Sequence, residues 1–315
     1  MQEDLATTPQ TWLITGANGH LGQRLIGELL RTPDHHVTAV VRSERARAAL
    51  QALPTTPQQQ AQLQIRVLSY TDTEALRAAA AGCDRCVHLV GILKEGKGSS
   101  YHEAHEASTA ALLAALAGSA VAHLTYLSIV GSSTDAHNAC LASKGRAEAL
   151  CEAAAIPACI LRVPMVLGEG DYASRALAYR AAQAVSLSFR ADSLEQPIYA
   201  GDVVAAIRAA AQHEVAATLD LGGPEVLTRR ALTQRAARQL GRSTRLLSLP
   251  LGLGLLLADL LTRSMAYPPF TRPMLEVLDH DDEVDPAAAL HALQLPALTP
   301  LDTLLAAVLS DFRSA

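Results

Sequence analysis

Aromatic side chains are scarce: 3 phenylalanines, 1 tryptophan and 7 tyrosines in 315 residues leave the core to small and aliphatic groups. Basic clusters are absent and the net charge is −5, which argues against nucleic acid as the main partner. The five cysteines (83, 86, 140, 151 and 159) follow no disulfide framework, as expected in a reducing cytoplasm. Met1 to Gln10 is acidic and polar, without the apolar stretch of a secretory leader. No apolar run reaches the roughly 20 residues that a membrane span needs. The best candidate, Leu246 to Leu261, is shorter and is interrupted by Pro250, Gly252, Gly254 and Asp259. It reads as a core or interfacial helix with Leu253, Leu256, Leu257, Leu260 and Leu261 on one face. Packing on the rest of the protein is the first expectation for that face, a protein partner the second and a membrane surface the third.

Metal and redox motifs are missing too. In His102-Glu103-Ala104-His105-Glu106 the histidines are three apart, not four, and no third ligand is evident, so no zinc site is expected. Cys83-Asp84-Arg85-Cys86 has redox-motif spacing but enters a strand instead of capping a helix, where a thiolate would be stabilised.

What is present is a turn that organises the chain. The apolar run Trp12-Leu13-Ile14 leads into Thr15-Gly16-Ala17-Asn18-Gly19-His20-Leu21-Gly22 and then into an amphipathic helix. Gly16 permits the tight turn, Gly19 lets phosphates approach the backbone, and Gly22 allows close packing of helix on strand. The uncapped helix start offers N–H groups and a positive dipole end to a pyrophosphate. The spacing is GxxGxxG, and its position after a first strand marks it as a dinucleotide site.

Strands and helices then alternate. His36–Val41 reads as a second buried strand ending at Arg42-Ser43, where an acidic residue would bind a ribose 2′-hydroxyl and Arg42 instead suits a 2′-phosphate. NADP(H) is therefore the preferred cofactor, with NAD(H) the alternative. Pro54 to Pro57 and the following glutamines read as a polar loop, Leu63 to Leu68 as a strand and Thr73 to Ala80 as a helix. A fourth strand, Cys86 to Val90, ends at Gly91, where a cofactor can lie against bare backbone; Lys94 to Ser100 reads as a loop. A long helix, about Tyr101 to Ala117, a strand His123–Ile129, a helix Ala139 to Ala154 and a strand Ala158–Val163 complete six βα units. Short connections between such units imply an α/β fold with a Rossmann-like, doubly wound parallel sheet. Residues 166–315 are expected to form a smaller C-terminal α/β lobe interwoven with the dinucleotide-binding part, 1–165, leaving a cleft as the ligand site.

Further motifs carry a family resemblance. Thr15 to Gly22, Gly82-Cys83-Asp84, His88-Leu89-Val90-Gly91, Ser143-Lys144, Leu161 to Pro164, Gly168 to Asp171, Pro197-Ile198-Tyr199 with Asp202 to Ala205, and Leu221 to Pro224 with Leu227-Thr228 occur in an order that resembles the extended or atypical short-chain dehydrogenase/reductases. His88 to Leu93 and Pro268-Pro269-Phe270-Thr271 look most like the NmrA-like branch that includes the NADPH-binding accessory subunit of respiratory complex I, the NDUFA-nine type. The resemblance implies cofactor contacts at Gly16, Ala17, Asn18, Gly19, His20, Leu21, Gly22, Arg42, Ser43, Leu89, Val90, Gly91, Lys144 and Pro164. It also implies a monomer, a substrate-orienting serine at Ser128, with Ser132 and Ser133 close in register, and His105 facing the cofactor cleft.

The departures are informative. Carbonyl-reducing members use Tyr-x-x-x-Lys, in which the phenol moves the substrate proton and the lysine lowers its pKa and holds the nicotinamide ribose. Here the register gives Cys140 and Lys144. General acid catalysis of this kind contributes about 10²–10⁴-fold, and a thiol is shorter and a weaker donor than a phenol. The acidic residue after the third strand is also changed, with Ser69 in its place and Asp72 three later. Two readings follow. One is a nucleotide-dependent structural, sensor or assembly protein, with a partner in a respiratory or membrane-enzyme assembly. The other is an active oxidoreductase or epimerase-like enzyme on a small carbonyl, quinone or isoprenoid substrate, with Ser128, Lys144 or Cys140 as catalytic candidates. A cytoplasmic location, peripheral to a membrane at most, suits either.

Overall fold

The computed structural model describes residues 9–96, 98–265, 271–277 and 281–312. The sequence motif Pro268 to Phe270 lies outside them. Strand β1 (Thr11–Thr15) runs into helix α1 (His20–Leu29), followed by β2 (His36–Val41), α2 (Glu44–Gln51), α3 (Pro57–Gln62) and β3 (Leu63–Val67). Helix α4 (Thr73–Ala80), β4 (Arg85–His88), a π-helical segment (His102–Ala107), α5 (Ser108–Leu116), β5 (His123–Ile129), α6 (Ala139–Glu152) and β6 (Ala158–Val163) follow.

Helix α3 corrects the expected loop, and α2, before it, was not anticipated. Ser43 caps α2 by accepting from Ala46 N, and Thr56 and Gln59 form a capping box with Pro57 in the first turn of α3. Proline-threonine-glutamine runs look loop-like by composition, yet this order is a helix-start signal. The long helix expected from Tyr101 is π-helical for its first six residues. The fourth strand ends at His88, two residues short of expectation, with Leu89 N still donating to Thr15 O at 3.0 Å.

Beyond β6 come β7 (Val166–Leu167), α7 (Tyr172–Ala182), β8 (Val185–Phe189), β9 (Leu194–Glu195), β10 (Ile198–Tyr199), α8 (Ala200–Gln212) and β11 (Thr218–Asp220). They are followed by β12 (Leu227–Thr228), α9 (Arg229–Gln239), β13 (Arg245–Leu249), α10 (Leu251–Ser264), α11 (Arg272–Val277), α12 (Ala287–Ala292) and α13 (Leu301–Val308). The central sheet is a seven-stranded, Rossmann-like parallel sheet in the order β11-β6-β5-β4-β1-β2-β3, so a segment from late in the chain completes one edge. One core layer, including Ile14, Leu25, Ile26, Val203 and Ile207, packs on one face of the sheet; Leu13, Val40, Leu76, Leu112 and Leu124 pack on the other. Leu167, Leu177, Leu232, Leu301 and Leu305 form a third cluster among the C-terminal helices.

Strand order reverses between β1 and β4. Chains leave these neighbours to opposite sides of the sheet, so their carboxyl ends part and open a crevice there.

Helix α10 overturns the first expectation for its leucine face. Gly254 and Ala258 point inward, and the Phe189 ring lies 2.9 Å from where a Cβ on Gly254 would be. Leu253, Leu256, Leu257 and Leu260 face outward, each 41–57% exposed. Gly254 and Ala258 make the close approach beneath this helix, these four leucines take the solvent side, and Leu261 of the same expected face is half-buried. Among the described residues, no helix is long and apolar enough to cross a membrane.

Candidate functional site

The glycine turn sits at the carboxyl end of β1. Gly16 has φ +74°, and a Cβ there would lie 2.8 Å from the Leu89 carbonyl carbon after β4. A Cβ on Gly22 would lie 2.6 Å from the Ala17 oxygen. Both positions need glycine, one for conformation and one for close approach. Asn18, Gly19 and His20 are exposed, Ala17 is buried and Leu21 partly buried. Gly19 is the N-cap of α1 and has no side chain to occupy the first-turn N–H groups. The turn is therefore an open cradle of backbone donors, which fits an anionic pyrophosphate.

Tyr70, which carried no signal in the sequence, braces this cradle. Its hydroxyl accepts from Gly16 N at 3.2 Å and donates to Val40 O at 3.3 Å. The guanidinium of Arg42, itself exposed, lies 5.7 Å from the Tyr70 ring centroid. Arg42 is thereby held beside the turn, whereas Ser43 is committed to capping α2 and Asp72 to capping α4 through Ala75 N.

Next along the sheet edge lie Gly91, Ser128, Lys144 and Pro164, which line one cavity of about 750 Å³. Lys144 is 5% exposed. Its Nζ donates to Leu127 O at 2.8 Å, sits 4.5 Å from the Tyr126 ring centroid, and is 3.3 Å from where a Cβ on Gly91 would be. Burial lowers the ammonium pKa to about 8, opposed by the nearby Cys140 and Glu148. Ser128 is buried and its hydroxyl donates to Ser132 at 3.3 Å.

Cys140 takes a different position. The thiol is fully buried, bonds the Ile92 carbonyl at 3.5 Å, and is not among the groups lining the cavity. Burial pushes its pKa up to about 11, with Lys144 pulling the other way. His105, also buried, accepts from Ile92 N at 3.1 Å and stacks on Tyr101, whose hydroxyl donates to Leu93 O at 2.9 Å. Behind them His88 shares a 2.5 Å hydrogen bond with Thr15 and stacks on Tyr126. Burial drives both imidazoles down to about 3, with Lys144 adding to the effect, so they are neutral at physiological pH.

A second polar group was invisible in the sequence because its members are far apart. Arg180, Glu195, Arg229 and Asp282 meet in the wall of the same cavity. Arg229 Nε donates to Glu195 Oε1 at 2.6 Å and its NH1 to Phe189 O at 2.7 Å. Burial, then Glu195, raises the Asp282 carboxyl to about 7. The five cysteines are free and buried, and among the described residues no cluster of three or more metal-binding side chains occurs.

Residues 16–192 match the model of a family described as NAD(P)H-binding. A curated relative, the uncharacterized sugar epimerase YhfK of Bacillus subtilis, is 29% identical over 127 residues, 40% of this chain and 53% of that protein. The match thus spans about half of that relative's length. A nucleoside-diphosphate-sugar epimerase from Staphylococcus aureus has a similar structure, with a TM-score of 0.72 and 16% identity over 94% of this chain and 99% of that one. UDP-glucuronic acid 4-epimerase from Bacillus cereus, solved with NAD, gives 0.70 and 17% over 96% of each chain. These structural likenesses speak to the fold. Because the family model begins on the turn glycine itself and runs through the strands that build the crevice, the chain belongs to the NAD(P)H-binding family, with the Rossmann-like architecture of sugar epimerases and short-chain dehydrogenase/reductases.

Proposed function

We propose that the chain is an NADP(H)-dependent oxidoreductase acting on a small carbonyl compound, in which Lys144 takes the proton-transfer role of the missing tyrosine. The observation that supports it best is the cavity that adjoins the glycine turn and carries the Lys144 ammonium in its wall, with a pKa lowered by burial to about 8. A lysine tuned to this range holds its proton near neutral pH yet gives it up readily. A reduced nicotinamide, when bound, supplies the hydride. The Gly16 to Gly22 backbone receives the pyrophosphate, Arg42 pairs with the 2′-phosphate, and Leu89 to Gly91 with Pro164 shape the nicotinamide end. Ser128 orients the substrate oxygen, and Lys144 Nζ delivers a proton to it as the carbonyl becomes an alcohol. The ammonium is then restored from solvent.

The buried position of Cys140 favours a second reading, a nucleotide-dependent sensor or assembly protein with a partner such as a respiratory or membrane-enzyme assembly. Calorimetric titration with NADPH and NADH, followed by NADPH oxidation against small carbonyls and quinones, separates the two. Preferential NADPH binding with turnover supports the enzyme. Binding without turnover supports the sensor, and no binding of either nucleotide overturns both.

A further inference from the structure

The cavity wall carries an excess of positive charge. Lys144, Arg180, Arg190 and Arg229 stand in it against Glu195 and Asp282. Three of these cations are engaged. Lys144 donates to Leu127 O at 2.8 Å, Arg229 Nε donates to Glu195 Oε1 at 2.6 Å, and Arg190 lies 3.6 Å from an oxygen of Asp281, which is outside the lining. Among the described residues, the guanidinium of Arg180 has neither a hydrogen bond nor an ion pair.

A cation held in a largely apolar wall without a partner carries a desolvation cost. Burial lowers the Arg180 pKa, with Glu195 opposing. The Arg180 Nε is buried, whereas the two terminal nitrogens, equally unpartnered, keep accessible surface. Those nitrogens are the end of the guanidinium fork that meets both oxygens of a carboxylate side by side.

The rest of the wall limits what the anion can be. Glu195 is held by Arg229, and burial raises the Asp282 carboxyl to about 7, so it is partly protonated at neutral pH and a single negative charge is tolerated. A diphosphate would bring at least two charges to one uncommitted guanidinium beside these carboxylates. Leu187, Phe189, Leu249, Leu251, Met274 and Leu275 make much of the remaining lining, and Leu187 is 59% exposed, so the apolar lining runs out to the surface. Such a wall suits a hydrocarbon body better than the hydroxyls of a sugar.

From this wall we infer that the cavity takes an apolar monocarboxylate, paired through its two oxygens with the terminal nitrogens of Arg180. The inference rests on the proposed function in treating this cavity as the substrate site. The substrate class is then an apolar oxo acid, with its carbonyl directed to Lys144 and its carboxylate held by Arg180.

Calorimetry of octanoate, octan-1-ol and UDP with the full chain, with and without saturating NADPH, tests it, and NADPH is titrated into parallel samples. Octanoate is expected to bind more tightly than octan-1-ol, with UDP weakest. Arg180→Met should weaken octanoate by about 10- to 100-fold and leave octan-1-ol within about threefold, while Arg180→Lys retains part of the octanoate affinity, the scale of hydrogen bonds between charged groups. Thermal unfolding checks that both variants fold; Arg180→Met removes no side-chain hydrogen bond among the described residues. No binding of octanoate, binding no tighter than that of octan-1-ol or UDP, or indifference to Arg180→Met in folded protein overturns the inference. Octanoate binding with no NADPH binding overturns the proposed function and leaves the inference standing. NADPH-dependent turnover of small carbonyls with no octanoate binding does the reverse.

Discussion

The two polar groups of the cavity are built in opposite ways. Around Lys144, the donors and acceptors come from neighbouring strand ends and one helix, and the neutral imidazoles of His88 and His105 lie behind them. Around Arg180, four charges come from α7, β9, α9 and the segment before α12, tied by an ion pair 34 residues apart in sequence. The first is a sheet-edge group built on backbone geometry; the second brings charges from distant segments together in a largely apolar wall. The two groups stand on different elements, so changes in one should leave the other readable.

The largest effect is expected at the backbone. Gly22→Val places a branched side chain where even a Cβ meets Ala17 O at 2.6 Å. It should abolish NADPH binding and destabilise the fold by about 3 kcal/mol, a fall of about 5–10 °C in Tm by calorimetry, while unaltered binding would break the distinction. Next is Lys144→Met, which should lower carbonyl turnover by about 10²–10⁴-fold while thermal unfolding shows the protein still folded. In the unmodified protein, turnover should fall as pH rises through about 8, because the ammonium loses the proton it must donate.

Arg42→Ala should weaken NADPH by about tenfold and leave NADH unchanged in calorimetry, the loss expected for one charge-assisted contact. Acid should act on the imidazole side. The unfolded chain takes up protons at His88 and His105 near pH 6.5, whereas the folded protein does so only near 3. Stability from these groups is present above 6.5 and is lost as pH falls towards 3, so the urea midpoint should drop between pH 7 and 5. A flat midpoint would show that these imidazoles are not held neutral. The smallest effect is expected for Cys140→Ala: turnover within about twofold of normal, since the thiol bonds Ile92 O away from the cavity.

The glycine turn was legible because its requirements are local. A positive φ, a close helix approach and an uncapped helix start each select residue types within seven positions of sequence. The same holds for β2 and β5, whose bounds match the apolar runs His36–Val41 and His123–Ile129. Helix α3 was not seen, because a capping box inside a proline- and glutamine-rich stretch is outvoted by its composition.

By itself, then, the sequence determined the alternation of strands and helices, the glycine turn, and the placing of a cysteine four residues before Lys144. Those are matters of short-range pattern. Tertiary structure alone decided that Tyr70 braces Gly16, that Cys140 faces Ile92 instead of the cavity, that Leu253, Leu256, Leu257 and Leu260 of α10 turn outward, and that Arg180, Glu195, Arg229 and Asp282 share one wall. Each of these depends on which distant segments pack together. The energy of a buried charge or hydroxyl is set by neighbours that linear spacing does not reveal.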